Sequence, residues 1–295
     1  MAAAQKAPPR RHLQRKERAT EKPPVLQCGR FSLELKRPLL MGVVNITPDS
    51  FSDGGRFHER EAAIAHARRL ADEGADIVDL GGESTRPGAA PVSEEEELRR
   101  VIPVLERIHD LCISVDTRRP AVMRAALEAG ASMVNDVQAL QAAGALDIVR
   151  NSKCAVCLMH MKGEPATMQR EPHYDDVVAE VKEFLRQRAA AVEAAGVARE
   201  RLVVDPGFGF GKTAEHNLTL LAGLSALREL GLPVLAGLSR KSTLGKLTGR
   251  PVTDRLAGSL AMALVALQNG ATILRVHDVK ETRDVVAVWE AVSRA

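Results

Sequence analysis

The stretch Asp205-Pro206-Gly207-Phe208-Gly209-Phe210-Gly211-Lys212-Thr213 follows the apolar run Leu202-Val203-Val204, and its reading decides the fold. A β-branched run that ends in a carboxylate and then a glycine-rich turn predicts a strand with Asp205 at its carboxyl end. The loop beyond it has a backbone that can approach a ligand closely. That is where α/β proteins place their chemistry. Two phosphate-binding motifs fit poorly. A P-loop needs Gly where Pro206 stands, and a dinucleotide fingerprint over residues 209–214 would follow a strand whose terminal Asp205 opposes a pyrophosphate. An Asp-Pro-Gly turn that merely ends a strand remains the bland reading.

Working outward, the same arrangement recurs. Leu39 to Ile46, Ile77 to Leu80, Ile113 to Asp116, Met133 to Asp136, Ala155 to His160, Val234 to Ala236 and Ile273 to His277 are short apolar runs. Between them, helical periodicity predicts helices over about 60–73, 94–109, 119–129, 174–195, 215–230, 255–269 and 279–293, with a weaker one near 142–150. Ser93 before four glutamates suits a helix cap, and Gly74, Gly130, Gly196, Gly231 and Gly270 suit helix stops. About eight alternating strand and helix units predict an α/β fold of the (β/α)8 TIM-barrel type, with an open doubly wound sheet as the alternative. Phe31 to Leu35 alternates, which adds a short strand or hairpin ahead of the barrel.

Two units follow from composition, a tail over 1–28 and a barrel over 29–295. Residues 1–28 hold seven Lys/Arg against two Glu and four prolines, which predicts a disordered basic tail without a secretory apolar core. The tail therefore carries about +5 of the formal +3, leaving the remainder near −2. With 3% aromatic residues as well, nucleic-acid binding is not expected. No run approaches the roughly 20 apolar residues that span a bilayer, so no membrane role is expected. Cys154 and Cys157 sit three apart in an apolar run, on opposite faces of a strand, and read as small buried hydrophobes. Nothing argues for disulfides, and a cytoplasmic location is the expectation.

In a barrel, polar groups at strand carboxyl ends point into the mouth. Those ends here carry Asn45, Asp79, Asp116, Asn135, His160, Asp205, Ser239-Arg240-Lys241 and Arg275-x-His277. Any one has a structural explanation: Asp79 a turn cap, His160 a satisfied core histidine, Asn135-Asp136 a loop opening. Asp116, Asn135 and Asp205 together form an acceptor-rich wall suited to a guanidine-like edge, and Lys241 adds a donor for a ring carbonyl, a set that fits a fused aminopyrimidinone. Arg275 and His277 alternate on one strand and can share an anion, with Asn45 nearby as a neutral oxygen for Mg2+ or a donor to phosphate. The loops after the first two strands are glycine-rich and polar, as lids are.

Seven motifs in order, Asn45-Ile-Thr-Pro-Asp-Ser-Phe-Ser-Asp-Gly-Gly, Gly81-Gly-Glu-Ser-Thr-Arg-Pro-Gly, Val115-Asp-Thr, Asn135-Asp, Asp205-Pro-Gly-Phe-Gly-Phe-Gly-Lys, Ser239-Arg-Lys and Arg275-Val-His-Asp, resemble the dihydropteroate synthase family over residues 29–295. The resemblance implies a barrel enzyme, usually a homodimer, that joins (7,8-dihydropterin-6-yl)methyl diphosphate to 4-aminobenzoate and releases diphosphate. It implies Asp116, Asn135, Asp205 and Lys241 around the pterin, and Asn45, Arg275 and His277 around diphosphate and Mg2+. Phe51, Thr85, Arg86, Pro87, Phe210 and Ser239 would border the aminobenzoate, with Asp53 closing over it, and Asp53, Lys241, Arg275 and His277 would serve the chemistry. Sulfonamide inhibition is implied too. A pterin-binding methyltransferase domain or a non-catalytic pterin-binding module are the alternatives.

Overall fold

The structure is a computed structural model that describes residues 24–46, 56–83, 92–164 and 167–295. Eight parallel strands form its centre: β3 (Leu39–Asn45), β4 (Ile77–Gly81), β5 (Ile113–Asp116), β6 (Met133–Asp136), β7 (Ala155–Met159), β8 (Leu202–Asp205), β9 (Leu235–Ala236) and β10 (Ile273–Val276). Their order is β8-β7-β6-β5-β4-β3-β10-β9. The ring closes where Val204 bridges Val234 in parallel and the Val204 N–H donates to the Pro233 carbonyl. Each strand is followed by a helix, so this is a (β/α)8 barrel and the open sheet is excluded.

Strand alternation splits the core in two. Even positions such as Leu40, Val44, Val78 and Leu80 face outward into a large cluster beneath the helices. Odd positions in the same strands, Leu39, Met41 and Ile77, join Met133, Ala155, Cys157, Val203, Leu235 and Ile273 to fill the lumen. Cys154 lies in the outer cluster and Cys157 in the inner one, and both are free thiols. The two-faced reading of that pair therefore holds.

The amino-terminal hairpin is part of this inner core. Strands β1 (Val25–Cys28) and β2 (Phe31–Glu34) pair antiparallel. Leu26 and Cys28 are fully buried in the inner cluster, and the Gly29 N–H donates to the Lys153 carbonyl just before β7. The hairpin thus plugs the end of the barrel where strands begin. The expected tail over 1–28 is corrected at its end: Val25–Cys28 is strand, because its alternate side chains reach the barrel floor. Leu26→Ala is expected to destabilise the protein by about 2–4 kcal/mol, as a buried truncation does. A urea unfolding midpoint unchanged from the parent would contradict that role.

The helices α1 (Arg56–Asp72), α2 (Glu94–Ile108), α3 (Pro120–Glu128), α4 (Ala145–Arg150), α5 (Val177–Ala194), α8 (Leu256–Gln268) and α9 (Val279–Arg294) match the periodic segments. Ser93 does cap α2, accepting from the Glu96 N–H at 3.2 Å. Two regions differ. The segment expected as one helix over 215–230 is α6 (Ala214–Ala222) followed by a 3-10 turn, Leu224–Leu230. The break falls at Gly223, where a Cβ would stand 2.8 Å from the Val178 side chain. The second is α7 (Ser242–Thr248), unexpected because its seven residues contain Gly245 and hold too little periodicity to register. The Arg255 guanidinium crosses where a Cβ on Gly245 would lie.

Candidate active site

The lumen-facing positions continue upward from the inner core at intervals of two, and at the carboxyl ends they turn polar. Asn45, Asp79, Asp116, Asn135, Asp205, Arg275 and His277 all keep the parity of the buried inner residues in their own strands. The register levels several of them. Asn45 pairs with Gly81, Gly81 with Asp116, and Asp116 with Asn135, so four neighbouring strands present one row across the mouth. Gly81 leaves space between Asn45 and Asp116: a Cβ there would sit 3.8 Å from each side chain.

The acidic wall is organised by Arg275. Its Nε donates to Asp79 Oδ2 at 2.7 Å and one terminal nitrogen donates to Asp116 Oδ2 at 2.8 Å. Asn135 Nδ2 donates to the same Asp79 oxygen at 3.3 Å. Arg275 therefore lies within the carboxylate wall, between β4 and β5, whereas the sequence suggested a cationic wall shared with His277. Burial opposes the Arg275 charge, but Asp79 and Asp116 outweigh it and raise the pKa. Asp116, 11% exposed, is pushed up to about 7 by burial; Arg275 works against that and the Asp79 charge adds to it. Asp79 Oδ1 and Asn135 Oδ1 are buried without a hydrogen-bond partner among the described residues, which leaves two acceptors in this wall.

Asp205 and Lys241 form the next sector. Asp205 Oδ1 accepts from the Gly207 N–H at 2.7 Å, which sets the turn after β8. Burial raises the Asp205 pKa while Lys241 opposes it. The Lys241 ammonium donates to the Phe208 carbonyl and stands 4.7 Å from the centre of the Phe210 ring. Its pKa is lowered to about 8, chiefly by burial, with Asp205 resisting. Beside it, Ser239 Oγ lies 3.0 Å from His277 Nδ1 and accepts from the His277 backbone N–H. Arg240, between Ser239 and Lys241, is held at φ 58° by an ion pair to Asp278 and by its N–H on Ser259 Oγ. That left-handed residue, uncommon away from glycine, turns Ser239 and Lys241 toward the mouth from either side of a tight bend.

Asn45, Asp116, Asn135, Asp205, Ser239, Lys241, Arg275 and His277 are thus gathered at one end of the barrel, with Phe210 beside Lys241. Phe51, Asp53, Thr85, Arg86 and Pro87 lie outside the described residues. His160 is not in the mouth: it has the outward parity of β7, stacks edge-on against Phe184 at 4.9 Å and is a core histidine. Asp136 also turns outward and accepts from the Gln138 and Leu140 N–H groups, as a loop opener does. Asp79 matters more than its sequence context suggested, because the tie to Arg275 crosses 196 residues of chain. The available signal was its parity with Gly81. Arg119 is a second case, donating to Glu83, Glu97 and the Val92 carbonyl and so linking the described ends of the loop after β4.

A family model described as pterin binding enzyme matches residues 41–277. The chain belongs to the pterin-binding enzyme family. Within this family it is 51% identical to the dihydropteroate synthase of Escherichia coli strain K12 over 263 residues, 88% of this chain and 93% of the relative. The crystal structure of Xanthomonas albilineans dihydropteroate synthase with 4-aminobenzoic acid superposes with a TM-score of 0.87 at 57% identity, covering 92% of this chain and 99% of that one. The Yersinia pestis dihydropteroate synthase with a sulfonamide drug also superposes with a TM-score of 0.87, at 47% identity and 92% and 100% coverage.

Proposed function

We propose that this chain is a dihydropteroate synthase, condensing (7,8-dihydropterin-6-yl)methyl diphosphate with 4-aminobenzoate to dihydropteroate and diphosphate. The observation that carries the reading is the convergence of Asp116, Asn135, Asp205 and Lys241 on one mouth, three acceptors and one cation that complement an aminopyrimidinone ring. The pterin binds through Asp205, Asn135 and Asp116, with Lys241 donating to its ring carbonyl. Aminobenzoate lies toward Phe210 and Ser239, bordered by Phe51, Thr85, Arg86 and Pro87. Sulfonamides compete for that second position, by analogy with the Yersinia pestis complex.

An arylamine is a weak base, so deprotonating it gains little. Stabilising the departing diphosphate and the cationic methylene-pterin lowers the barrier more. The reaction is therefore a dissociative displacement. His277 and Arg275 receive leaving-group charge. Asp116 and Asp205, with Asp53, stabilise the cation. Mg2+ fits this site only as a companion of diphosphate. Asn45 contributes one exposed neutral oxygen, and among the described residues no group of three His, Cys, Asp or Glu side chains is placed to hold a metal. Mg2+ typically completes its shell with phosphate oxygens and water, and supplies charge neutralisation there.

Incubating the protein with both substrates is expected to yield dihydropteroate and diphosphate in equal amounts by chromatography. A methyltransferase domain or a non-catalytic pterin module would release none. For the dissociative step, loss of diphosphate from the pterin substrate should not track nucleophile strength across substituted anilines; a steep dependence would overturn it. Pterin affinity is expected to peak between pH 7 and 8. Below about 7 Asp116 takes up a proton and ceases to be a full acceptor, and above about 8 Lys241 loses its own. Calorimetry from pH 5.5 to 9.5 checks this, and a flat profile would contradict it.

The protein is a homodimer in this reading. Leu247 on α7, Val252 in the turn after it and Leu256 on α8 are 52%, 47% and 41% exposed, large apolar side chains that a second copy would cover. Leu247→Glu is expected to halve the mass by light scattering, and a parent protein that is already monomeric would remove the proposal. We place the enzyme in the cytoplasm, where its four free cysteines remain reduced. No helix among the described residues is long and apolar enough to cross a membrane.

A further inference from the structure

Lys212 is a buried lysine for which the reaction scheme has no use. It is 2% exposed, on the far side of the glycine-rich turn from the mouth. Its Nζ lies 2.9 Å from the Gly207 carbonyl oxygen, 3.1 Å from that of Phe210 and 2.9 Å from His160 Nδ1, with the His160 carbonyl at 3.5 Å. Burial lowers the Lys212 pKa to about 7 against the pull of Asp205, and in the charged form three close acceptors saturate the three donors of the ammonium. His160 is the matching neutral partner: burial, aided by the Lys212 charge, lowers its pKa to about 3 and leaves Nδ1 as an acceptor.

The turn from Gly207 to Gly211 is held from several directions at once. Gly207 and Gly211 have φ of 67° and 61°, and a Cβ on either would overlap the carbonyl oxygen of His160 or of Lys162. The Gly209 N–H donates to buried Asn217 Oδ1 at 2.7 Å, and the Tyr174 hydroxyl donates to the Gly211 carbonyl at 2.9 Å. Lys212 joins Gly207 and Phe210, near the two ends of the turn, to His160 at the end of β7. What that turn displays on its other side is the Phe208 carbonyl under Lys241 and the Phe210 ring beside it.

We propose that Lys212 is a positioning residue whose side-chain nitrogen, seated on His160, fixes the Gly207–Gly211 turn so that the Phe210 ring is pre-set for the aminobenzoate side of the site. This rests on the reading of Phe210 as a wall of that subsite. Of the pterin groups, Asp116, Asn135 and Asp205 stand at strand ends and Lys241 on the bend after β9; the turn touches only Asp205, through the Gly207 N–H, and Lys241, through the Phe208 carbonyl. Aminobenzoate recognition should therefore suffer far more than pterin recognition when the pin is removed.

The test compares the parent with Lys212→Met and Tyr174→Phe, the second removing only the hydroxyl that holds Gly211. Lys212→Met is expected to raise the KM for 4-aminobenzoate at least tenfold. The Kd for the pterin diphosphate, by calorimetry, should stay within about threefold, and Tyr174→Phe should shift the same KM in the same direction by a smaller factor. Amide hydrogen exchange at Gly207, Gly209 and Phe210 should accelerate in both variants while α6 is unchanged. If Lys212→Met does not fold, Tyr174→Phe alone carries the test. An unchanged aminobenzoate KM with unchanged turn exchange, or parallel losses for both substrates, would overturn the proposal. A parent protein that makes no dihydropteroate would instead sink the functional reading, and the exchange measurement would still report on the pin.

Discussion

Asp205→Ala is expected to weaken pterin binding by about a thousandfold. Asp205 sits 5% exposed at the end of β8, facing Lys241, so what it accepts from a ligand is made away from bulk water. Two hydrogen bonds to a charged acceptor contribute about 1.5–3 kcal/mol each, and a loss near 4 kcal/mol corresponds to about three decades in Kd. The side chain also accepts the Gly207 N–H, so removing it releases the first residue of the turn and leaves a buried donor unsatisfied. Asp205→Asn separates the two effects. It keeps an oxygen for Gly207 but replaces half of the acceptor pair with a donor, and should recover folding stability without recovering affinity. If Asp205→Ala bound the pterin within tenfold of the parent, Asp205 would not be a primary acceptor.

Arg275→Met has the second large effect, on stability and turnover together. Arg275 is the shared partner of Asp79, which is fully buried, and of Asp116. Removing one member of a buried ion-pair set leaves uncompensated charge, a loss of about 3–5 kcal/mol. The pH dependence identifies the cause. Arg275 is the main influence holding Asp116 down, so without it burial and the Asp79 charge push that pKa above about 7. A carboxyl whose folded pKa exceeds its unfolded one destabilises the fold increasingly as pH rises from the unfolded value through the folded one. The deficit of Arg275→Met relative to the parent should therefore be larger at pH 8 than at pH 5.5, by urea unfolding at both. An equal deficit at the two values would show that lost packing, not stranded charge, is responsible. Diphosphate release should fall together with stability even at temperatures where the variant is fully folded, because the same guanidinium takes up leaving-group charge in the proposed reaction.

The barrel itself was legible because two periods alternate along the chain and each has a direct geometric meaning. Runs such as Leu39 to Val44 and Ala155 to Met159 are apolar on both faces, as strands buried between a lumen and a ring of helices must be. Helices with clear ends, α2 behind Ser93 among them, were legible for the same local reason. Where local signals were thin the reading slipped by a few residues or missed an element. Residues 25–28 looked like the end of a charged tail because their burial depends on a floor assembled from Cys112, Met133 and Ala155. Helix α7 went unseen because Gly245 is there for Arg255, ten residues further on.

At the active site, residue types and positions were readable from the ordered strand ends, and the resemblance to dihydropteroate synthases rested on those same residues. Partnerships were not. A strand terminus announces that a side chain will point into the mouth, but which neighbour it meets is set by barrel closure and by the register between strands.

By itself, then, the sequence determined a parallel barrel with acids, amides and cations at one end, since alternation and turn chemistry act over a few residues. Only the tertiary structure decided that Arg275 lies between Asp79 and Asp116, that His160 serves Lys212 and not the mouth, and that the amino-terminal hairpin closes the floor. Those contacts join residues tens to hundreds of positions apart. Closing such distances fixes side-chain geometry through the packing of the whole ring, and no local pattern encodes it.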